Sequence, residues 1–146
     1  MRAPRFSTSL LCLCLLAAGG RAEAPRAPEY VVIVHAANST SSVERKFLSD
    51  AFLKKTTRWN GGQVIRPVDQ NADSGVRRRF SEEVLERSVT AVRSYWQQVI
   101  FSGRDVPPPE LSGDDTVLEY VKNHAGAVGY VSGRASTAGA KVLSVR

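Results

Sequence analysis

The sequence predicts one α/β layer domain with a small mixed β-sheet flanked by helices. Three observations carry that expectation. Apolar, β-branched runs of strand length open and close the chain, "YVVIVHA" at 30–36, "AVGYVSG" at 127–133 and "KVLSVR" at 141–146. Between them lie segments whose apolar residues recur at helical period. The length, 146 residues, suits a single domain of ordinary size.

The elements follow in order. Arg2 and Arg5 precede a short uncharged apolar run and the small residues of "AAGGRAEA". This reads as a secretory signal over residues 1–22, cleaved after Ala22 or Ala24, and too short to span a bilayer as an ordinary helix. Both cysteines, Cys12 and Cys14, fall inside it. The exported chain is therefore expected to lack any disulfide, thiol nucleophile or thiolate metal site. Net charge falls from +6 to about +3 once Arg2, Arg5 and Arg21 leave with the signal. Residues 23–29 form a flexible leader whose prolines forbid a helix, and the domain proper is 30–146.

The run at 30–36 reads as a strand buried on both faces in a mainly parallel sheet. Ser41 and Glu44 stand at capping-box spacing before a helix with Val43, Phe47, Leu48, Ala51 and Phe52 inward. Asn60-Gly61 marks a turn. "QVIRPVDQ" (63–70) reads as a second strand, Val64 and Ile65 its apolar part, with Pro67 holding the later half to an edge. Val76, Phe80 and Val84 space one helix. Val89, Val92, Trp96 and Val99 space the next, with Ser88 as its cap and Phe101-Ser102-Gly103 as its stop. "VPPPE" is rigid extended chain. Asp114 caps a short helix with Val117, Leu118 and Val121 inward, closed by Gly126.

Little here supports catalysis. His35 and His124 are far apart, and neither has a partner at metal-ligand spacing. Asp114-Asp115 reads as a helix start rather than a catalytic pair. No catalytic residue, metal or cofactor is assigned. A nucleic-acid interface would need a basic stripe with aromatic platforms, and none is evident.

The segment "QNADSGVRRRF" (70–80) differs in kind. A loop entering a helix at Ser74-Gly75 offers free backbone N–H groups backed by the positive helix end. Gly75 permits close approach, and Arg77 in the first turn offers a two-pronged contact to phosphate or carboxylate. Asn38 and Ser39, after the first strand, are expected neighbours, since ligands in open α/β sheets sit beyond strand ends. The plainer reading is an ordinary cap at Ser74 or Asp73 with the arginines in water.

Taken together, "FLSDAFLKKTTRWNGGQVIRPVDQ", "SGVRRRF", "YWQQVIFSGRDVPPP" and "GAVGYVSG" resemble the phosphate-binding proteins of bacterial ABC importers. The resemblance runs from about Val31 to Val145 and is similar to small single-lobe members of that group. It implies a periplasmic-binding-protein-like lobe, the one entered after the interlobe crossover. It also implies a non-enzymatic, exported function in binding phosphate or another small anion, with an ABC importer or a second copy as possible partner and no stable membrane insertion. The family's Ser-Gly-Thr helix start falls on Ser74, Gly75 and Val76. Its basic residue four positions before the serine falls on Gln70, and its acid two before falls on Ala72. Single-lobe relatives favour Arg-x-x-Phe at this helix, matched by Arg77 and Phe80. The alternative is a module for protein contacts or sensing that has kept the lobe and lost the ligand.

Overall fold

The structure, a computed structural model, describes residues 28–146. The expected signal segment lies outside the described residues, as does the leader before Pro28. The central strand β1 (Tyr30–His35) pairs with β6 (Ala127–Ser132) on one side and β7 (Ala140–Val145) on the other. Two short edge strands complete the sheet: β2 (Ser42–Val43) beside β7 and β3 (Arg66–Pro67) beside β6, in the order β2-β7-β1-β6-β3.

β1 is antiparallel to both neighbours, which corrects the expectation of a mainly parallel sheet. Only the edge pairings, β2 with β7 and β3 with β6, are parallel. The run is continuously apolar because helices cover both faces, and covering elements do not fix strand direction. Val32 and Val34 point into one core with Val128, Tyr130 and Leu143. Ile33 points into the other, with Val117, Val121 and Val131. The first core is closed by α1 (Arg45–Phe52), by α2 (Gly75–Phe80) running directly into a π-helical turn at Ser81–Leu85, and by α3 (Val89–Phe101). The second is closed by α4 (Asp114–Asn123), which presses so near β6 that a Cβ on Gly129 would stand 2.6 Å from Val117 Cγ1.

Several local signals act as expected. Ser88 caps α3, its hydroxyl accepting from the Ala91 amide at 3.1 Å, and Gly103 leaves the helix with a positive φ. Pro67 sits in the edge strand, where its missing N–H costs no ladder bond. Others differ. The Ser41–Glu44 box does not form; Glu44 is the cap position without a side-chain bond, because Ser42 and Val43 are drawn into pairing with Ser144 and Val145. The expected strand over 63–70 breaks into β3 and β4 (Asp69–Gln70), and Val64 is left exposed on an isolated bridge to Arg58. Asp114 is the first residue of α4 rather than its cap, which is Gly113. Gly126, at φ +82°, turns the chain into β6 just past the helix end.

Candidate functional site

The start of α2 is set by a polar network beneath it. β4 leaves the sheet edge to pair with β5 (Glu110–Leu111), so Asp69 and Gln70 descend into the interior, where both are buried. Gln70 Nε2 donates to Asp114 Oδ1 and to the Tyr130 carbonyl, each at 3.0 Å. Asp114 in turn accepts from the Ser132 amide at 3.0 Å and hydroxyl at 2.6 Å. Gln70 Oε1 accepts the Ser74 hydroxyl at 2.8 Å. One buried amide thus ties the cap of α2 and the first residue of α4 to the end of β6. An uncharged side chain at position 70 fits this role because every polar atom it carries is satisfied.

Ser74 is the cap of α2, its Oγ accepting from the Arg77 amide at 3.3 Å. Its own N–H donates to the Asn71 carbonyl at 3.0 Å. The Ser74 hydroxyl proton and amide are therefore both committed within the chain. The amides of Gly75 and Val76 are not: they find no acceptor among the described residues. Gly75 is exposed and Val76 half-buried. Arg78 lies beside Gly75, its Nη2 3.7 Å from where a Cβ on that residue would stand. These groups border an open recess of about 480 Å³ whose other walls are Glu29, Arg79 and Glu82. Arg79 is held by Glu29, with Nη2 to Oε1 at 3.0 Å, and faces Glu83 at 3.7 Å. Arg78 makes no ion pair among the described residues.

Arg77 does something else. Only 2% exposed, it points into the protein. Its Nη1 donates to the Gln70 carbonyl at 2.5 Å and pairs with Glu110 Oε1 at 2.6 Å, while Nη2 reaches Asp69 Oδ2 at 3.2 Å. Tyr130 donates its hydroxyl to the other Asp69 oxygen, and the Tyr130 ring stacks on Phe80 at 3.9 Å between centroids. Burial pushes the Asp69 carboxyl above its usual range, against the pull of Arg77, Tyr130 and the Gln70 amide. Burial beside Asp69 likewise pushes the Tyr130 phenol up. The Arg-x-x-Phe pattern is accordingly a packing device: both residues turn inward, three apart on one helical stripe.

Asn38 and Ser39 do not join Ser74 and Gly75. The network around Gln70, Asp114 and Ser132 lies level with Tyr30, the first residue of β1, because Tyr30 pairs with Ser132. Asn38 follows the far end, where His35 pairs with Ala140, roughly 17 Å away at about 3.3 Å per strand residue. The strand-end rule assumes parallel strands, and β1 runs the other way. Asn38 itself is buried, its Oδ1 accepting from the Thr40 amide at 2.8 Å and its carbonyl accepting from Lys141 Nζ at 2.9 Å.

Of the six residues expected to form the site, Ser74, Gly75 and Val76 stand together, and Arg77, Asn38 and Ser39 point or lie elsewhere. Arg78 and the Asp69–Arg77–Glu110 group were missed. A helical-phase argument would have found the first distinction: Arg77 lies three before Phe80 and seven before Val84, on the buried stripe, whereas Arg78 does not. Among the described residues no group of three His, Cys, Asp or Glu side chains is placed to hold a metal ion, and no helix is long and apolar enough to cross a membrane.

This arrangement, a curled mixed sheet with helices on both faces, is the fold of one lobe of a periplasmic binding protein. An ABC-type phosphate transport receptor from Vibrio cholerae superposes with a TM-score of 0.63 at 19% identity, over 80% of this chain and 46% of that one. A putative phosphate ABC transporter substrate-binding protein from Clostridium perfringens, with bound phosphate, gives 0.63 at 19% identity over 80% and 44%. PstS from Borrelia burgdorferi gives 0.62 at 11% over 81% and 47%. The chain thus spans less than half the length of the receptors it matches. At these identities the likeness shows a PstS-like fold and nothing finer. No family model matches the sequence, and no curated protein does.

Proposed function

We propose that the chain is an exported, non-enzymatic module that binds phosphate or a similar small oxyanion at the start of α2. The observation that carries this reading is the pair of unbonded amides at Gly75 and Val76 with the Arg78 guanidinium beside them. Two N–H donors and one unpaired cation meet an oxyanion at a positive helix end. Ser74 contributes by fixing the turn, since its hydroxyl is already donated to Gln70. Arg77 contributes by anchoring the helix from below.

The contact is open to water on one side, and Glu29 and Glu82 border it. Screening keeps each charge contact small, so the expected affinity is of millimolar order, about −4 kcal/mol. The test is a phosphate titration followed by amide NMR at low salt. The Gly75 and Val76 signals should move together, Arg78→Ala should weaken binding severalfold, and raising the salt to about 0.5 M, roughly threefold above physiological ionic strength, should nearly abolish it. Unmoved Gly75 and Val76 signals at tens of millimolar phosphate, with the fold intact, would rule the reading out.

A second reading has its own support. With Arg77 and the Ser74 hydroxyl consumed internally, the lobe has fewer anion ligands than its sequence offered. On that view the open face of α2 meets a protein, either a second copy or an importer subunit, and anions are incidental. Sedimentation separates the two: a monomer that binds phosphate supports the first, an anion-indifferent dimer the second.

A further inference from the structure

Five large apolar side chains are exposed among the described residues, and three of them, Ile100, Phe101 and Val106, fall within seven consecutive positions. Exposed apolar residues scattered singly are ordinary; a cluster is not. Phe101 is 95% exposed. It is the last residue of α3 and points away from the side that buries Val92, Trp96 and Val99. The chain then turns back on itself. Gly103 N donates to the Ile100 carbonyl at 2.9 Å and Arg104 N to the Val99 carbonyl at 3.2 Å, with Gly103 at φ +67°. Lys54 holds the returning segment through Asp105 at 3.1 Å, and Ile100 and Pro107 wall the same recess. Phe101 thus stands clear of the chain at the bend, with Ile100 and Val106, 51% and 62% exposed, on either side of the turn.

The charges around this bend are one-sided. Arg93 lies two helical turns before Ile100, on the same side of α3. Arg104 follows Gly103, its Nε donating to Ser102 Oγ at 2.8 Å. Neither arginine makes an ion pair among the described residues. The one acid between Arg93 and Pro109 is Asp105, which Lys54 neutralises.

We infer that this end of α3 is a docking surface for an anionic lipid bilayer, with Phe101, Ile100 and Val106 entering the headgroup boundary and Arg93 and Arg104 meeting lipid phosphates. Charge complementarity selects the occupant. Unpaired guanidiniums beside exposed apolar side chains match the layer where phosphate and acyl chain meet, as on the faces of interfacial helices. A protein partner fits less well. The centre of a protein interface is depleted of charge, and its aromatic anchors sit in packed surroundings rather than standing free. The contact is peripheral, since only side chains of one turn reach the boundary. It is also independent of the oxyanion reading, because none of these residues borders the recess at Gly75.

The test is cosedimentation of the exported chain with vesicles of equal parts phosphatidylglycerol and phosphatidylcholine, against phosphatidylcholine alone. Binding to the anionic vesicles is expected, with the neutral ones at least about tenfold weaker. Phe101→Ser should weaken binding about tenfold and Arg104→Ala about fivefold, both without change in circular dichroism because the positions are exposed. In Phe101→Trp, brominated lipid should quench the added emission, which places that side chain in the bilayer. An apolar leader still attached would hold the protein on both kinds of vesicle and ignore Phe101, so the variants separate its contribution. No binding to anionic vesicles overturns the inference, as does binding that Phe101→Ser leaves unchanged. So does a dimer in sedimentation that Phe101→Ser dissolves, which would assign the patch to a second copy of the chain.

Discussion

Arg77 and Arg78 are adjacent in sequence and opposite in role, which makes their alanine variants the sharpest comparison available. Removing the Arg77 side chain leaves Asp69 buried with only the Tyr130 hydroxyl and the Gln70 amide as donors. Glu110, whose side chain is 42% exposed, returns to water at little cost. Breaking a buried pair from one side typically costs 3–5 kcal/mol. Proton uptake limits the loss here, because burial already raises the Asp69 pKa. We therefore expect Arg77→Ala to lose about 3 kcal/mol at pH 7, or about 12 °C in Tm at roughly 4 °C per kcal/mol for a domain of this size. Arg78→Ala should change stability by no more than about 0.5 kcal/mol, as exposed sites usually do. Urea denaturation of both variants at pH 7 and pH 4 is the assay. A carboxyl whose folded pKa lies above its unfolded value stabilises when protonated, and that contribution is lost as pH rises through the folded pKa. Without Arg77 the folded pKa of Asp69 rises further, so the deficit of Arg77→Ala should shrink as pH falls. A deficit below 1 kcal/mol, a value well under the lower end of the buried-pair range, or one that does not change with pH, would refute the buried pair as drawn.

Two further outcomes follow from single positions. Burial, aided by the neighbouring Glu83, pushes the Tyr30 phenol from 10.0 up to about 12; its neutral form stabilises the fold, and that contribution is lost as pH rises between those values. Tyr30→Phe should remove part of the alkaline loss, visible as a smaller difference between urea midpoints at pH 9 and pH 11, two conditions bracketing an ordinary tyrosine pKa of about 10; identical pH profiles for the two proteins would contradict the assignment. Gly126 combines φ +82° with a would-be Cβ only 2.1 Å from the Val64 carbonyl oxygen, and its own carbonyl accepts from Arg66 N and Trp59 Nε1. Gly126→Ala should therefore destabilise by more than about 2 kcal/mol, read as a lower urea midpoint at unchanged m-value.

What the sequence made legible was whatever depends on near neighbours. Ser88 before Val89, Val92 and Trp96 gives a capped helix, and Gly103 ends it, because caps and periodicity act within a turn or two. β1, β6 and β7 were legible as strands for the same reason. Their directions were not, because β1 gains its partners from residues about 100 positions later. The failed Ser41–Glu44 box has the same origin: a local cap lost to pairing with Ser144 and Val145 at the other end of the chain.

The site divides along the same line. That Gly75 and Val76 would present free amides is a property of any helix start, and position 74 announced it. That Arg77 would be withdrawn from that start depends on Asp69 and Glu110 meeting beneath it, through the pairing of two-residue strands some forty positions apart. Such pairing leaves no periodic trace. Yet the withdrawal has a chemical logic. Position 70 carries an amide where the resembling family carries a cation, and a glutamine there can accept the Ser74 hydroxyl and donate to Asp114 in one step. A cation at 70 could do only the second. With the fixed positive charge supplied from below by Arg77 and neutralised by two carboxylates, and Arg79 held by Glu29, the guanidinium at the helix start without an ion pair among the described residues is that of Arg78. Any anion affinity this lobe has should therefore scale with one exposed guanidinium, and a change at Arg78 should matter more to it than a change at any residue the motif itself would nominate.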